Sequence, residues 1–227
     1  MDVTDTGDGA ATAWCVLVAA GSGTRFGGVK QLAPLGGHTV LEHSLLAARV
    51  AVDGVVVVAH PEALAEIGEL VGPGGVVVAG GSTRSESSRL GVQAVPDDAE
   101  VILVHDAARP LASAEVFARV IGAVRGGADG AVPVVPVTDT VRDVDGSLVD
   151  RERLVAIQTP QGFSAELLRR AVSSGGEATD DAALVAELGG TISYVEGDPA
   201  NRKITHPDDL VIAEALLADR ARSEVPR

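Results

Sequence analysis

Of the 18 basic residues, 16 are arginine and only two are lysine, Lys30 and Lys203. A lysine is a compact point charge, and a guanidinium fork does not replace it at every site. In an arginine-using chain the two lysines therefore mark candidate anion contacts; two ordinary surface lysines are the plainer reading. Lys30 ends the stretch Gly21-Ser22-Gly23-Thr24-Arg25-Phe26-Gly27-Gly28-Val29-Lys30, which follows an apolar run over 15–20. Glycines let the backbone approach a ligand and take positive φ. Exposed N–H groups with Arg25 and Lys30 then suit a polyphosphate. The stretch is neither of two familiar phosphate loops. Phe26 stands where the dinucleotide fingerprint needs its third glycine, and Val29 separates Gly28 from Lys30 where the nucleoside-triphosphatase loop allows nothing. The glycines alone also fit an ordinary βα turn.

A second cluster is His105-Asp106-Ala107-Ala108-Arg109-Pro110, directly after an apolar run. A carboxylate such as Asp106 at a strand end beside a phosphate loop can hold Mg²⁺ or a hydroxyl, and it can equally cap a helix or bond to a loop. Arg84 and Arg109 could each grip a phosphate as planar forks. His105 could be a base, but no Ser or Cys nucleophile accompanies it, so it reads as a packed loop histidine. No Cys/His spacing suits zinc. Two lysines, several arginines and Mg²⁺ fit phosphoryl or nucleotidyl transfer, in which charge spreads over oxygens and catalysis is mostly positioning and electrostatics. An acceptor that is already a phosphate anion needs no protein base. The base, sugar and acceptor do not follow from spacing.

These residues must be held by elements. Short Val-rich runs at 15–20, 55–59, 76–79, 101–104 and 131–135 read as buried strands. Between them lie helices: one opened by a Thr39/Glu42 capping box, one over 62–71 ended by Pro73-Gly74, and one over 113–125. The alternation predicts a Rossmann-like, doubly wound α/β fold with a mostly parallel sheet. Ligands bind beyond the carboxyl ends of such strands, where the loops 21–31, 80–89 and 105–110 fall together. At Pro136 the rhythm breaks. Residues 137–144 and 147–153 flank an Asp145-Gly146 turn and read as a protruding β-arm over 136–155. A lone two-stranded ribbon is marginal, so the arm should lie on something, a second subunit or its own domain. Residues 156–163 return to the sheet. A helix capped by Ser164 over 164–173, another from 178 to 188, a strand at 191–195 and a last helix from 207 to about 220 complete a single domain over 13–220. Residues 221–227 form a short tail.

Composition sets limits. Aromatic residues are 2% of the chain against 46% hydrophobic residues, so Val, Leu, Ala and Ile must build the core. The net charge of −14 argues against binding nucleic acid or an anionic membrane. An anionic substrate must therefore be held by a local cationic cluster. The lone cysteine, Cys15, forms no internal disulfide. No apolar run is long enough for a transmembrane helix. Residues 1–12 lack the basic start of a signal peptide and read as a disordered tail, which makes a cytoplasmic protein the expectation.

Ala19-Ala20-Gly21-Ser22-Gly23-Thr24-Arg25 with Lys30, then Val104 to Pro110, Asp139-Thr140, Thr159-Pro160-Gln161, Thr179-Asp180 and Lys203-Ile204-Thr205 stand in one order. The series resembles the 2-C-methyl-D-erythritol 4-phosphate cytidylyltransferases, over about residues 14–217. The resemblance implies an Mg²⁺-dependent reaction of CTP with a polyol phosphate, releasing pyrophosphate. It implies that Arg25, Lys30 and Lys203 are catalytic, and that Ala19, Ala20, Gly21, Gly23, Gly81, Ser82, Ser87 and Asp106 bind the nucleotide. Asp106 would also sit by the metal, which the CTP phosphates mainly hold. Asp106, Arg109, Thr159 and Thr205 would meet the acceptor, with Thr140 and Arg151 from a partner's arm in a homodimer. Ser82 stands where the family often has Asp, and the segment between Arg25 and Lys30 is shorter than in some members. Ribitol-5-phosphate cytidylyltransferases share much of the motif set; molybdopterin-type nucleotidyltransferases are disfavoured by the arm and by Lys203-Ile204-Thr205. A module that binds CTP without turnover is the alternative from another class.

Overall fold

Uncharged, valine-rich strands form the centre of one sheet, and the other elements are arranged around them. A computed structural model describes residues 12–21, 23, 26–73, 75–176, 178 and 180–223. In chain order, β1 (Ala13–Ala19) leads through the first loop to a small hairpin, β2 (Pro34–Leu35) and β3 (His38–Thr39). Then come α1 (Val40–Ala51), β4 (Gly54–Ala59), α2 (Leu64–Val71), β5 (Val76–Ala79), α3 (Arg84–Gln93) and β6 (Val101–Asp106). The second half holds α4 (Ala114–Arg125), β7 (Gly130–Pro136), the paired arm strands β8 (Val141–Arg142) and β9 (Leu148–Val149), and β10 (Val155–Ile157). It closes with β11 (Gln161–Ser164), α5 (Ala165–Ser173), α6 (Asp181–Glu187), β12 (Ile192–Glu196) and α7 (Asp208–Ser223).

The main sheet runs β10-β7-β11-β6-β1-β4-β5, with β12 also on β7. Pairs β6–β1, β1–β4, β4–β5 and β7–β12 are parallel; β11 and β10 run antiparallel to their neighbours. Side chains alternate across this sheet. Cys15, Leu17, Val57 and Leu103 pack with α1, α2 and α4 on one face, and Val16, Val56, Val58, Ile102 and Val104 pack with α3, α5 and α6 on the other. The sheet is thus doubly wound and mostly parallel, as the alternation of elements predicts. The chain steps from β1 outward to β4 and β5, then returns to the other side of β1 as β6. That reversal opens a crevice at the carboxyl ends of β1 and β6.

Local chemistry accounts for the element ends. The Thr39 hydroxyl accepts from the Glu42 amide at 3.2 Å and the Glu42 carboxylate accepts from the Thr39 amide at 2.6 Å, the expected capping box. Several boundaries differ from expectation. Gly72, at φ 72°, ends α2, because the reversal falls one residue before Pro73. Ser164 precedes α5, but its side chain makes no capping hydrogen bond. Asp180 caps α6 by accepting from the Ala183 amide, so that helix begins at Asp181 rather than at 178. β6 runs on to Asp106 because β1 pairs it as far as Val18. The last helix continues to Ser223. The expected N-terminal tail lies outside the described residues apart from Thr12, as does the end of the C-terminal one. Among the described residues no helix is long and apolar enough to cross a membrane.

The arm is a separate two-stranded sheet, Val141 opposite Val149 and Arg142 opposite Leu148. The Asp143 carboxylate accepts from the Ser147 amide at 2.8 Å, and Gly146 takes φ 91°. Val144 and Leu148 on the arm are exposed, as are Val155 and Ile157 on β10.

Candidate active site

A cavity of about 440 Å³ opens at the carboxyl ends of β1 and β6. Its wall draws on the first loop, the start of α3, the end of β6 and the loop before α7. Of the residues expected to act, Ala20, Gly21, Lys30, Gly81, Ser82, Ser87, Asp106 and Lys203 line it together.

The first loop is tied at both ends. The Gln31 side-chain amide donates to the Gly21 carbonyl at 3.2 Å. Gly23 takes φ +63°, and a Cβ there would lie 1.9 Å from the Gly28 carbonyl oxygen, so only glycine fits. The Phe26 and Gly27 amides both donate to the Gly23 carbonyl. Ala19 is buried within β1, below the cavity. Arg25 lies outside the described residues, as do Ser22, Thr24 and Thr179 of the quoted motifs. The Lys30 ammonium donates to the Ile204 carbonyl at 2.9 Å, which joins the first loop to the last across 174 positions.

The loop before α3 is braced by its own side chains. Ser87 Oγ accepts from the Gly81 amide at 3.1 Å and donates to the Thr83 carbonyl at 2.8 Å. Thr83 caps α3 by accepting from the Glu86 amide. The Glu86 carboxylate accepts from both the amide and the hydroxyl of Ser82, at 2.7 and 2.9 Å. The bond from the Ser82 amide, then the one from its hydroxyl, lowers the Glu86 pKa. The Ser82 hydroxyl is thus engaged within the loop.

Asp106 is the charge hub of the cavity. Its Oδ2 lies 2.6 Å from Lys203 Nζ, Arg84 Nε stands 3.8 Å from its Oδ1, and Arg109 Nε stands 4.0 Å from its Oδ2. Burial alone would raise the Asp106 pKa, but Lys203, then Arg84 and Arg109, hold it at about 2. Arg109 donates to the Asn201 carbonyl at 2.9 Å and to the Ile157 carbonyl at 3.2 Å. Its expected phosphate-binding fork is therefore engaged by backbone here, where it fastens the last loop to the end of β10. Burial lowers the Arg109 pKa, against the pull of Asp106. Thr205 sits beside Lys203; its amide donates to Asp209 at 2.8 Å. Ile204 is buried between the β2–β3 hairpin and α7. Thr140 and Arg151 lie exposed on the arm, and neither lines this cavity; Arg151 donates to the Thr138 carbonyl.

Thr159 stands behind the wall rather than in it. Its hydroxyl accepts from the Asp106 amide at 3.0 Å and bonds to His105 Nδ1 at 2.9 Å. His105 is fully buried, its Nε2 has no hydrogen-bond partner among the described residues, and its ring centroid lies 5.4 Å from that of Phe117 in an edge-on arrangement. Burial pushes its pKa down to about 4, against the pull of Asp106. The ring is thus a neutral packing group, as the sequence suggests, although it lies in β6 rather than in a loop, and it does not line the cavity. Its titration has a signed consequence. The folded pKa lies below the unfolded value of about 6.5, so the folded state loses stability as pH falls from about 6.5 through 4. The loss expected is on the order of 3 kcal/mol. Denaturant midpoints measured across that window should fall less steeply in His105→Asn than in wild type; parallel slopes would refute the assignment.

The sequence reading missed three contributors. Gln31 is 2% exposed and lines the cavity, yet an isolated Gln after a lysine gives no signal. His60 lines the cavity at the end of β4, where position alone could have nominated it. Asp181 is wholly buried and lies 2.9 Å from Arg84, a pairing no local pattern encodes.

A glycine-rich loop after the first strand, two lysines and a strongly acidic carboxylate at the crevice of a doubly wound sheet define a nucleotidyltransferase. Within that class, residues 13–219 match the family described as 2-C-methyl-D-erythritol 4-phosphate cytidylyltransferase, and the chain belongs to it. A cytidylyltransferase of that name from Rhodococcus jostii is 47% identical over 225 residues, covering 94% of this chain and 99% of the relative. The crystal structure of the same-named enzyme from Thermus thermophilus superposes with a TM-score of 0.77 at 39% identity, covering 91% of this chain and 98% of that one. The 4-diphosphocytidyl-2C-methyl-D-erythritol synthase of Anaerococcus prevotii gives 0.80 at 28% identity, covering 92% and 99%.

Proposed function

We propose that this chain catalyses its family's reaction: CTP and 2-C-methyl-D-erythritol 4-phosphate give 4-diphosphocytidyl-2-C-methyl-D-erythritol and pyrophosphate. The observation that carries the reading is the convergence of Lys30, Lys203 and Asp106 on one cavity from distant parts of the chain. An oxygen of the acceptor's phosphate attacks the α-phosphorus of CTP, the bond to the β-phosphate breaks, and pyrophosphate leaves. Negative charge grows on the phosphoryl oxygens, and the two ammonium groups are placed to stabilise it. The acceptor is already an anion, so neutral, buried His105 need not act. Within the loop before α3 the Gly81 and Ser82 amides are engaged by Ser87 and Glu86. Recognition of the cytosine amino group, a donor, falls to loop carbonyls.

Magnesium fits this donor set. Among the described residues no cluster of three or more His, Cys, Asp or Glu side chains could cage a metal, and one ionised carboxylate, Asp106, faces the cavity. Mg²⁺ commonly binds through one or two carboxylates plus substrate phosphates. When bound it would neutralise phosphate charge, with Asp106 as its protein contact. The acceptor site is completed by Thr140 and Arg151 of a second copy, whose arm docks through its exposed apolar residues, Val144 and Leu148. Light scattering should give a two-fold mass, and Arg151→Ala should raise the acceptor KM while CTP affinity holds. A strict monomer, or loss of CTP binding in that variant, would refute the shared site. The cytoplasm is the proposed compartment, consistent with a single cysteine, which forms no internal disulfide.

The deciding experiment measures pyrophosphate release with CTP and Mg²⁺, offering methylerythritol phosphate and ribitol 5-phosphate separately. Release with the first is expected. Release with ribitol 5-phosphate alone would overturn the acceptor, and CTP binding without release would overturn turnover itself.

A further inference from the structure

We propose that Asp181 is a positioning residue: from the buried start of α6 it holds Arg84 in the cavity wall, facing the phosphate-bearing ligand. Asp181 is 0% exposed, and Arg84 is the first residue of α3. The two helices begin at the same edge of the sheet. One Asp181 oxygen accepts from Ser88 Oγ at 2.6 Å, a turn along α3, and the other lies 2.9 Å from Arg84 Nη2. Through its Nε the same guanidinium stands 3.8 Å from Asp106 Oδ1. Arg84 is thus bridged between a carboxylate inside the protein and the carboxylate at the heart of the cavity.

The frame around this bridge is anchored independently. Asp180 caps α6, and its second oxygen accepts from the Gln161 side chain at 3.3 Å. Gln161 begins β11, which pairs with β6 and so with the strand that ends in Asp106. The positions of Arg84 and Asp106 are therefore set by the same few contacts. A long arginine side chain left without this partner would regain its rotamer freedom. A buried ion pair is a poor device for stability alone, because well-packed apolar residues often serve as well or better. It is a good device for fixing a fork in one orientation.

This inference rests on the nucleotidyl-transfer reading, and its test is separable from it. Asp181→Asn preserves shape and can still accept from Ser88. It should lower kcat/KM for CTP at least tenfold with the folded circular-dichroism spectrum retained. In an Arg84→Ala background the same substitution should cost nothing further. Independent, multiplying losses, or an Arg84→Ala variant equal to wild type, would overturn the proposal. Should Asp181→Asn fail to fold, Ser88→Ala replaces it in the cycle, with a smaller loss that must likewise vanish when Arg84 is absent. The cycle is also read in the calorimetric Kd for CTP with Mg²⁺. A wild-type protein that binds CTP but releases no pyrophosphate would refute the reaction, and coupling or additivity in Kd would still decide the role of Asp181.

Discussion

Lys203→Ala is expected to lower kcat by on the order of 10²-fold or more, with the fold intact. The ammonium lies 2.6 Å from Asp106 at the cavity wall, and the next residue, Ile204, offers its carbonyl to Lys30. One short loop therefore places both lysines. Because transition-state charge on the phosphoryl oxygens exceeds that of the ground state, the loss should fall on kcat more than on KM. Stability should change little. Asp106 keeps Arg84 at 3.8 Å and Arg109 at 4.0 Å, so no buried charge is left alone, although its pKa should rise from about 2. Lys203→Arg should not restore the rate, since a planar fork does not reproduce a compact charge. Steady-state kinetics on folded variants gives the answer, and a normal kcat in Lys203→Ala would remove the residue from the mechanism.

The largest stability effect is expected at Gly91, in the middle of α3. A Cβ there would lie 2.3 Å from Val16 Cγ1 and 2.6 Å from Val58 Cγ2, two valines that are 0% exposed. Glycine lets α3 lie close upon β1 and β4. Alanine would gain about 1 kcal/mol of helix propensity, against an overpacking penalty of about 1–3 kcal/mol. The net for Gly91→Ala is modest. Gly91→Leu adds a whole side chain where no room exists, and a loss of about 3 kcal/mol or more should follow in denaturant titrations. CTP affinity should fall with it, because α3 carries Arg84 and Ser87 into the cavity. Wild-type stability in Gly91→Leu would mean that the helix does not sit on the sheet as described.

Both predictions concern groups whose importance the sequence reveals unequally. The two lysines could be nominated from composition alone, and the Gly21 to Lys30 loop from its glycines and cations. The start of α1 was legible because a capping box is closed by two residues within a four-residue span. The buried strands were legible because valine runs have few other stable places. By contrast, Ser164 has the right residue type for a cap and makes no capping bond, since side-chain identity permits that bond without requiring it.

Arg109 and Thr159 mark the same boundary within the site. As residue types, each could touch a ligand. In the folded chain the Arg109 fork meets the carbonyls of Asn201 and Ile157, and the Thr159 hydroxyl bonds His105 and the Asp106 amide. Asp181 read as one of two acids at a helix start until α6 came to rest beside α3.

The sequence by itself determined most of the strand and helix order, the sheet edge where polar loops gather, the cation-bearing loop and the family; it did not show α3, whose first turns fall in the stretch 80–89 read as a loop, or the β2–β3 hairpin. These depend on periodicity, caps and contiguous motifs, which are local properties of the chain. Only the tertiary structure decided which charges meet: Lys30 with the Ile204 carbonyl, Lys203 with Asp106, and Arg84 with Asp181. Those pairs join residues 97 to 174 positions apart. Coulomb and hydrogen-bond energies depend on distances of a few ångströms, and such distances exist only after the sheet has closed the chain upon itself.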